Sequence, residues 1–143
     1  MPTGNILLID DEEKLRSLLK RIITLEGFTV HEADNLRSAS KILEKEQPDL
    51  ILCDVKLPDG SGVDFIKTIK PKYPSTEIIL LTAYGNIPDG IQAMKNGAFD
   101  YITKGDDNAR IIPLLHQAIE KKQLKLVVDM IDSLVLIDIQ LIV

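Results

Sequence analysis

The stretch LILCDVKLPDGSG (residues 50–62) decides the fold. Four apolar residues lead straight into an acid, Asp54, and a proline-glycine turn follows at once. An unbroken apolar run of this length reads as a parallel strand covered on both faces. A carboxylate at its end is costly to bury unless something compensates it. The same pattern recurs in NILLID (5–10) and EIILLT (77–82), while TVHEA (29–33) and DYIT (100–103) complete a set of five strands.

Segments of helical spacing lie between these runs. Leu15, Leu18, Leu19, Ile22 and Ile23 form one apolar face, stopped by Gly27. Asn35 is placed to cap a second helix carrying Ala39, Ile42 and Leu43 before Pro48. Ser61 opens a third with Phe65, Ile66 and Ile69 inward, and Pro71 and Pro74 are expected to end it. A fourth spans about Pro88 to Asn96, closed by Gly97, and a fifth starts near Asp107 with Ile111, Leu114, Leu115, Ala118 and Ile119 inward. Five β-α units predict an α/β protein: a doubly wound, five-stranded parallel sheet of flavodoxin-like order 2-1-3-4-5.

Composition agrees with one soluble domain, since 143 residues with 45% hydrophobic and 27% charged residues can bury a single core. A net charge of -5 argues against a broad nucleic-acid surface. The single cysteine cannot form an internal disulfide, and no Cys/His cluster has metal-ligand spacing. The N-terminus lacks the basic start and apolar core of a signal peptide, so the cytoplasm is the expected compartment.

In such a sheet, ligands bind beyond the carboxyl ends of the strands. Those ends carry Asp10 and Asp11 after strand one, Asp54 after strand three, Thr82 on strand four and Lys104 after strand five. Each has a bland reading on its own: helix capping, a turn, a strand end, a solvated charge. Their fall at the ends of four neighbouring strands argues for one site. Clustered carboxylates repel, so a cation or the lysine must offset them, and oxygen ligands suit Mg²⁺. A carboxylate beside Mg²⁺, faced by a lysine and a hydroxyl, is a place to form an acyl phosphate.

The stretches LLIDDEEKLR, LILCDVKLPDGSGVDFI and IILLTAYGNIPDGIQAMKNGAFDYITK resemble the receiver domains of bacterial two-component response regulators. The third looks most like receivers of the nitrogen-regulator type, whose parent proteins carry a sigma-54-dependent ATPase and a DNA-binding module. The resemblance implies that Asp54 is the phosphoacceptor for a phosphohistidine on a sensor histidine kinase. It implies that Asp11, Asp54 and the Lys56 backbone carbonyl ligate Mg²⁺, with Asp10 acting through water. Lys104 would neutralise a phosphoryl oxygen, Thr82 would hydrogen-bond another, and Tyr101 would be the switch aromatic. Lys56 and Tyr84 would tune the phosphate's lifetime. The family usually has proline after the lysine, where this chain has Gly105, which leaves the Lys104 loop less firmly held.

The expected function is therefore a phosphorylatable switch with self-directed phosphotransfer and no turnover of an external substrate. The expected domain covers residues 1–123, as a single-domain regulator or a piece of a transcriptional regulator. Its output face would be residues 86–104, with no direct nucleic-acid or membrane contact. An aspartyl-nucleophile phosphatase would place a second acid where Lys56 stands, and a phosphorylation-independent binding module would not need all five positions filled. Cys53 reads as core, and His31 and His116 lack partner acids at useful spacing.

Residues 124–143, LKLVVDMIDSLVLIDIQLIV, are too apolar for a solvated tail, yet three aspartates argue against a membrane span. Leu124, Val127, Val128, Ile131 and Val135 continue the helical spacing, whereas IDIQL alternates like a strand. An artificial end or an aberrant reading frame is the bland account. The sharper expectation is a helical extension or linker that pairs with a second copy as a homodimer.

Overall fold

A computed structural model describes residues 4–82, 86–104 and 108–142. Its five main strands are β1 (Asn5–Ile9), β2 (Thr29–Ala33), β3 (Leu50–Asp54), β4 (Glu77–Thr82) and β5 (Asp100–Thr103). Helices α1 (Glu13–Leu25), α2 (Leu36–Lys45), α3 (Gly62–Lys72), α4 (Ile87–Lys95) and α5 (Asn108–Ile142) follow them in turn. All four strand pairings are parallel, in the order 2-1-3-4-5. The order and strand spans read from the sequence hold, except that β1 stops one residue short of Asp10.

The sheet is apolar on both sides because every parallel crossover lays a helix on one face or the other. Leu7, Ile9, Ile51, Cys53, Ile78 and Leu80 pack in one core cluster with Ala39 and Leu43 of α2, Phe65, Ile66 and Ile69 of α3 and Ala93 of α4. Ile6, Leu8, Leu50, Leu52, Ile79 and Leu81 alternate onto the other side, against Leu19 and Ile23 of α1 and Ile111, Leu114, Leu115, Ala118 and Ile119 of α5. Each such leucine, isoleucine or phenylalanine contributes on the order of 1.5–3 kcal/mol by leaving water. The central strands β1 and β3 consequently place their last residues on a stiff platform.

Two local features depart from the sequence reading, and a third settles what it left open. The turn after Asp54 contains a two-residue antiparallel hairpin, Lys56–Leu57 against Gly60–Ser61. Helix α3 does not stop at Pro71 but carries it in its last turn, ending at Lys72. Proline there forfeits one backbone bond on an exposed side of the helix, and the next turn still closes through Tyr73 N–H to Ile69 O at 2.9 Å. Helix α5 likewise carries Pro113 on its exposed side and runs unbroken to Ile142, so IDIQL is helical. The expected start at Asp107 lies outside the described residues.

Beyond Lys122, α5 leaves the domain. Among the described residues, Lys122 makes the last ion pair between α5 and the domain, its ammonium on the Asp49 carboxylate. From Leu124 to Ile137, and again at Leu141, the large apolar side chains are exposed, Val127 at 52% and Leu141 at 80%.

Candidate functional site

Four strand ends deliver the polar residues to one edge. The backbone keeps pairing just past each strand: Asp10 N–H donates to Ala33 O at 3.1 Å, Val55 N–H to Leu81 O at 3.2 Å and Lys104 N–H to Thr82 O at 2.8 Å. The flanking side chains therefore project from fixed main chain. Lys104 Nζ lies 2.6 Å from Asp54 Oδ2 and 3.4 Å from Asp10 Oδ2. Asp10, Asp11 and Asp54 each offer one carboxylate oxygen, all within 4.8 Å of one another. The structure thus brings Asp10, Asp11, Asp54 and Lys104 together, with Thr82 buried at the adjacent end of β4.

Asp10 combines the capping role with the site role. Its Oδ1 accepts from Glu12 N–H at 2.9 Å, at the start of α1, whose own N-cap residue makes no side-chain bond. Its carbonyl accepts from Arg16 at 2.8 Å. Its Oδ2 is fully buried, aimed into the cluster and without a hydrogen bond. Asp54 is also buried, whereas Asp11 is exposed.

The electrostatics follow from this crowding. Burial raises the Asp54 pKa above the ordinary carboxylate range, and the hydrogen bond and charge of Lys104 only partly oppose it. Burial works to lower Lys104, but its bond to Asp54 and the charges of Asp54 and Asp10 outweigh that and leave it raised. Three carboxylates against one ammonium leave excess negative charge, so the donor set fits a small hard cation held by oxygens.

Thr82 Oγ1 donates to Ile102 O at 3.5 Å, a weak bond that leaves the hydroxyl available. Tyr101 is half-buried against α4, where a Cβ on Gly90 would come within 2.7 Å of the ring. Thr82 and Tyr101 share one face of the sheet, since β4 and β5 pair Leu80 with Tyr101 and Thr82 with Thr103. Lys56 sits in the hairpin opposite Ser61 with its side chain exposed. Tyr84 and Gly105 lie outside the described residues.

Some contributors were missed in the sequence. Gly62 passes so close to the strand end that a Cβ would sit 2.0 Å from the Asp54 carbonyl oxygen, and its N–H bonds Val55 O at 2.8 Å. A glycine at a turn-to-helix junction is the signal that could have flagged it. Asp59 acts through contacts 22 and 23 residues away and left no local signal, whereas Arg16 reaches back only six residues to the Asp10 carbonyl. Cys53 is core, as expected: its Sγ donates to Asp54 O at 3.3 Å, and burial pushes the thiol well up, so it is no redox nucleophile. The histidines do have partner acids, but across the fold: His31 Nε2 lies 2.8 Å from Glu46 and His116 Nε2 lies 3.7 Å from Glu26. Sequence spacing could not reveal either pair.

An open parallel sheet whose switch-point edge gathers three carboxylates, a lysine and a threonine defines the receiver class. The family model described as response regulator receiver domain matches residues 6–119, and the chain belongs to that family. More particularly, it is similar to receivers of the nitrogen-regulator type. It is 35% identical over 127 residues to the DNA-binding transcriptional regulator NtrC of Proteus hauseri, covering 86% of this chain and 27% of that protein. It is 38% identical over 119 residues to the response regulator PilR of Pseudomonas aeruginosa, covering 83% and 27%. Among solved structures, NtrX from Brucella abortus superposes with a TM-score of 0.85 at 28% identity, covering 91% of this chain and 30% of that one. The beryllofluoride-activated NtrC4 receiver domain dimer superposes with a TM-score of 0.78 at 33% identity, covering 82% and 98%. The chain therefore spans about a quarter of the length of these curated relatives.

Proposed function

We propose that Asp54 accepts a phosphoryl group from a phosphohistidine on a sensor histidine kinase. The observation that carries this is the Lys104 ammonium seated between Asp54 and Asp10 in a three-carboxylate cluster. Asp11, Asp54 and the Lys56 carbonyl would hold Mg²⁺ directly, with Asp10 acting through water. Bound there, the ion supplies positive charge for phosphoryl oxygens. As the phosphorus–nitrogen bond breaks, its electron pair stays on the imidazole, and a bond forms between phosphorus and an Asp54 oxygen. The carboxylate needs no general base once ionised, and the Lys104 ammonium neutralises an equatorial oxygen. Thr82, whose hydroxyl is only weakly held, turns to another oxygen.

The reaction is self-directed rather than enzymatic turnover, because Lys56 and not an acid stands two residues after Asp54. Treating the protein with acetyl phosphate or beryllofluoride should give an Mg²⁺-dependent adduct that Asp54→Asn lacks. Equal labelling of the mutant contradicts the assignment, and phosphate release from an aryl phosphate with turnover favours the phosphatase.

Signalling passes from Thr82 and Tyr101 to the α4–β5 face, where Ile87, Ile91 and Met94 are exposed apolar residues for an output partner. Thr82→Ala should keep phosphorylation and blunt the amide shifts over residues 87–101 that the phosphate mimic causes. The whole protein is read as a cytoplasmic transcriptional regulator, since its relatives include a DNA-binding transcriptional regulator. No helix among the described residues is long and apolar enough to cross a membrane.

The distal part of α5 is read as a homodimer segment. Val127, Met130, Leu134, Ile137 and Leu141 recur at three- and four-residue steps and are all at least half exposed. The NtrC4 receiver, a related domain, is a dimer in its beryllofluoride-activated form. Light scattering should find the full chain dimeric and a chain ending at Gln123 monomeric. Two monomers contradict the pairing.

A further inference from the structure

We propose that Asp59 is a positioning residue for the site, one that latches the loop of residues 55–62 to the amino end of α2. Asp59 Oδ1 accepts from Leu36 N–H at 2.8 Å and its Oδ2 accepts from Arg37 N–H at 2.9 Å, across 23 and 22 residues of chain. Helix α2 already has its local cap, since Asn35 Oδ1 accepts from Ser38 N–H at 2.7 Å. The helix therefore does not need Asp59 in order to start, and the consequence of the contact falls on the loop. A carboxylate facing two free amides at a helix N-terminus is favoured by both charge and hydrogen bonding. It also holds the Asp59 carboxyl below the usual carboxylate range.

Apolar contact reinforces the latch. Leu36 and Leu57 pack on the same core cluster, and a Cβ on Gly60 would come within 2.9 Å of Leu36 Cδ1. At the other end of the loop, Lys56 pairs with Ser61, and Gly62 lies against the Asp54 carbonyl. A short, closed ring of main chain thus connects the α2 terminus to the strand end that carries Asp54. Fixing its far corner at Asp59 limits how far the Lys56 carbonyl can swing. This role rests on the reading that the Lys56 carbonyl ligates Mg²⁺.

The test uses the full chain with Asp59→Ala and Asp59→Asn, read by amide hydrogen exchange and by Mg²⁺ titration followed in NMR spectra. Asp59→Ala should speed exchange throughout residues 55–62 and weaken Mg²⁺ binding by about tenfold, the scale of losing a group that orients a ligand. Asp59→Asn keeps one acceptor oxygen and should fall between it and the wild type, and it carries the test if the alanine variant fails to fold. Faster exchange at residues 36–38 alone, with the loop and Mg²⁺ affinity unchanged, would overturn the proposal and leave Asp59 a simple cap. A wild type that binds no Mg²⁺ would overturn the reading of the site instead, while the loop's exchange would still decide whether Asp59 positions it.

Discussion

The two edges of the sheet are built from the same ingredients and balance them differently. At the amino edge, Glu77 is buried beside Lys121 at 3.5 Å and Lys70 at 3.8 Å, and Asp49 meets Lys122 and accepts from Asn5 N–H at 2.8 Å. Two acids are served there by three lysines. At the carboxyl edge, among the described residues, the Asp10 and Asp54 carboxylates, clustered with that of Asp11, are paired with Lys104, while Arg16 reaches the Asp10 backbone carbonyl rather than a carboxylate. Among the described residues, each edge leaves one buried carboxylate oxygen without a hydrogen bond, Glu77 Oε2 and Asp10 Oδ2, so an orphan atom does not distinguish them. Charge balance does. The edge with cations to spare is a brace that fixes α5 to the sheet, and the other edge keeps an acidic cluster with more carboxylates than lysines, the charge balance on which the proposed Mg²⁺ site rests.

The comparison can be broken most heavily through the backbone. Gly62→Ala should cost about 3 kcal/mol or more in chemical denaturation, because its Cβ would sit 2.0 Å from the Asp54 carbonyl oxygen and the strand end must move. Wild-type stability in this variant would mean that the carboxyl edge is not rigidly built.

Removing one lysine from each edge sharpens the contrast. Lys104→Met leaves the three carboxylates without their paired lysine and should lower metal-free stability by about 1–2 kcal/mol, discounted because the lysine is partly exposed. Mg²⁺ should restore part of that loss. Lys121→Met leaves Lys70 beside Glu77 and should cost about 0.5 kcal/mol, with no response to Mg²⁺. Equal losses measured by thermal melts would show that the balance of charge is not what separates the edges.

How much of this the sequence disclosed depends on the range of the interaction. The strands and their order were legible because Ile6, Leu52 and Leu80 belong to runs that only a sheet covered on both faces can bury. Asp10, Asp54, Thr82 and Lys104 were legible because they end those runs. The hairpin after Asp54 and the latch of Asp59 on α2 were not, since they are set by contacts more than twenty residues apart or by exact turn geometry. Pro71 was misleading, because a proline on an exposed helical side gives up one bond without stopping the helix. The amino-edge brace was invisible, as Lys70, Lys121 and Lys122 look like solvated charges in sequence.

Smaller effects probe each edge's finer parts. Asp11→Asn removes an exposed carboxylate from the cluster and should weaken Mg²⁺ binding by about tenfold in a titration, with little change in metal-free stability. Acid should release the Asp59 latch. Its folded pKa is depressed by the two α2 amides, so the latch's contribution is present above the unfolded carboxylate pKa and is lost as pH falls through the folded one. Protection of the Leu36 and Arg37 amides, taken relative to their intrinsic exchange rates, should therefore persist to lower pH than an unperturbed carboxylate would allow and then be lost.

The most direct measurement is an Mg²⁺ titration of the wild-type chain with amide shifts followed at both edges of the sheet. The account predicts saturable shifts at Asp10, Asp11 and residues 54–56, and none at Asn5, Asp49, Thr76 or Glu77. Saturable shifts at both edges, or at neither, would contradict the claim that an excess of carboxylate over lysine makes the carboxyl edge the functional one.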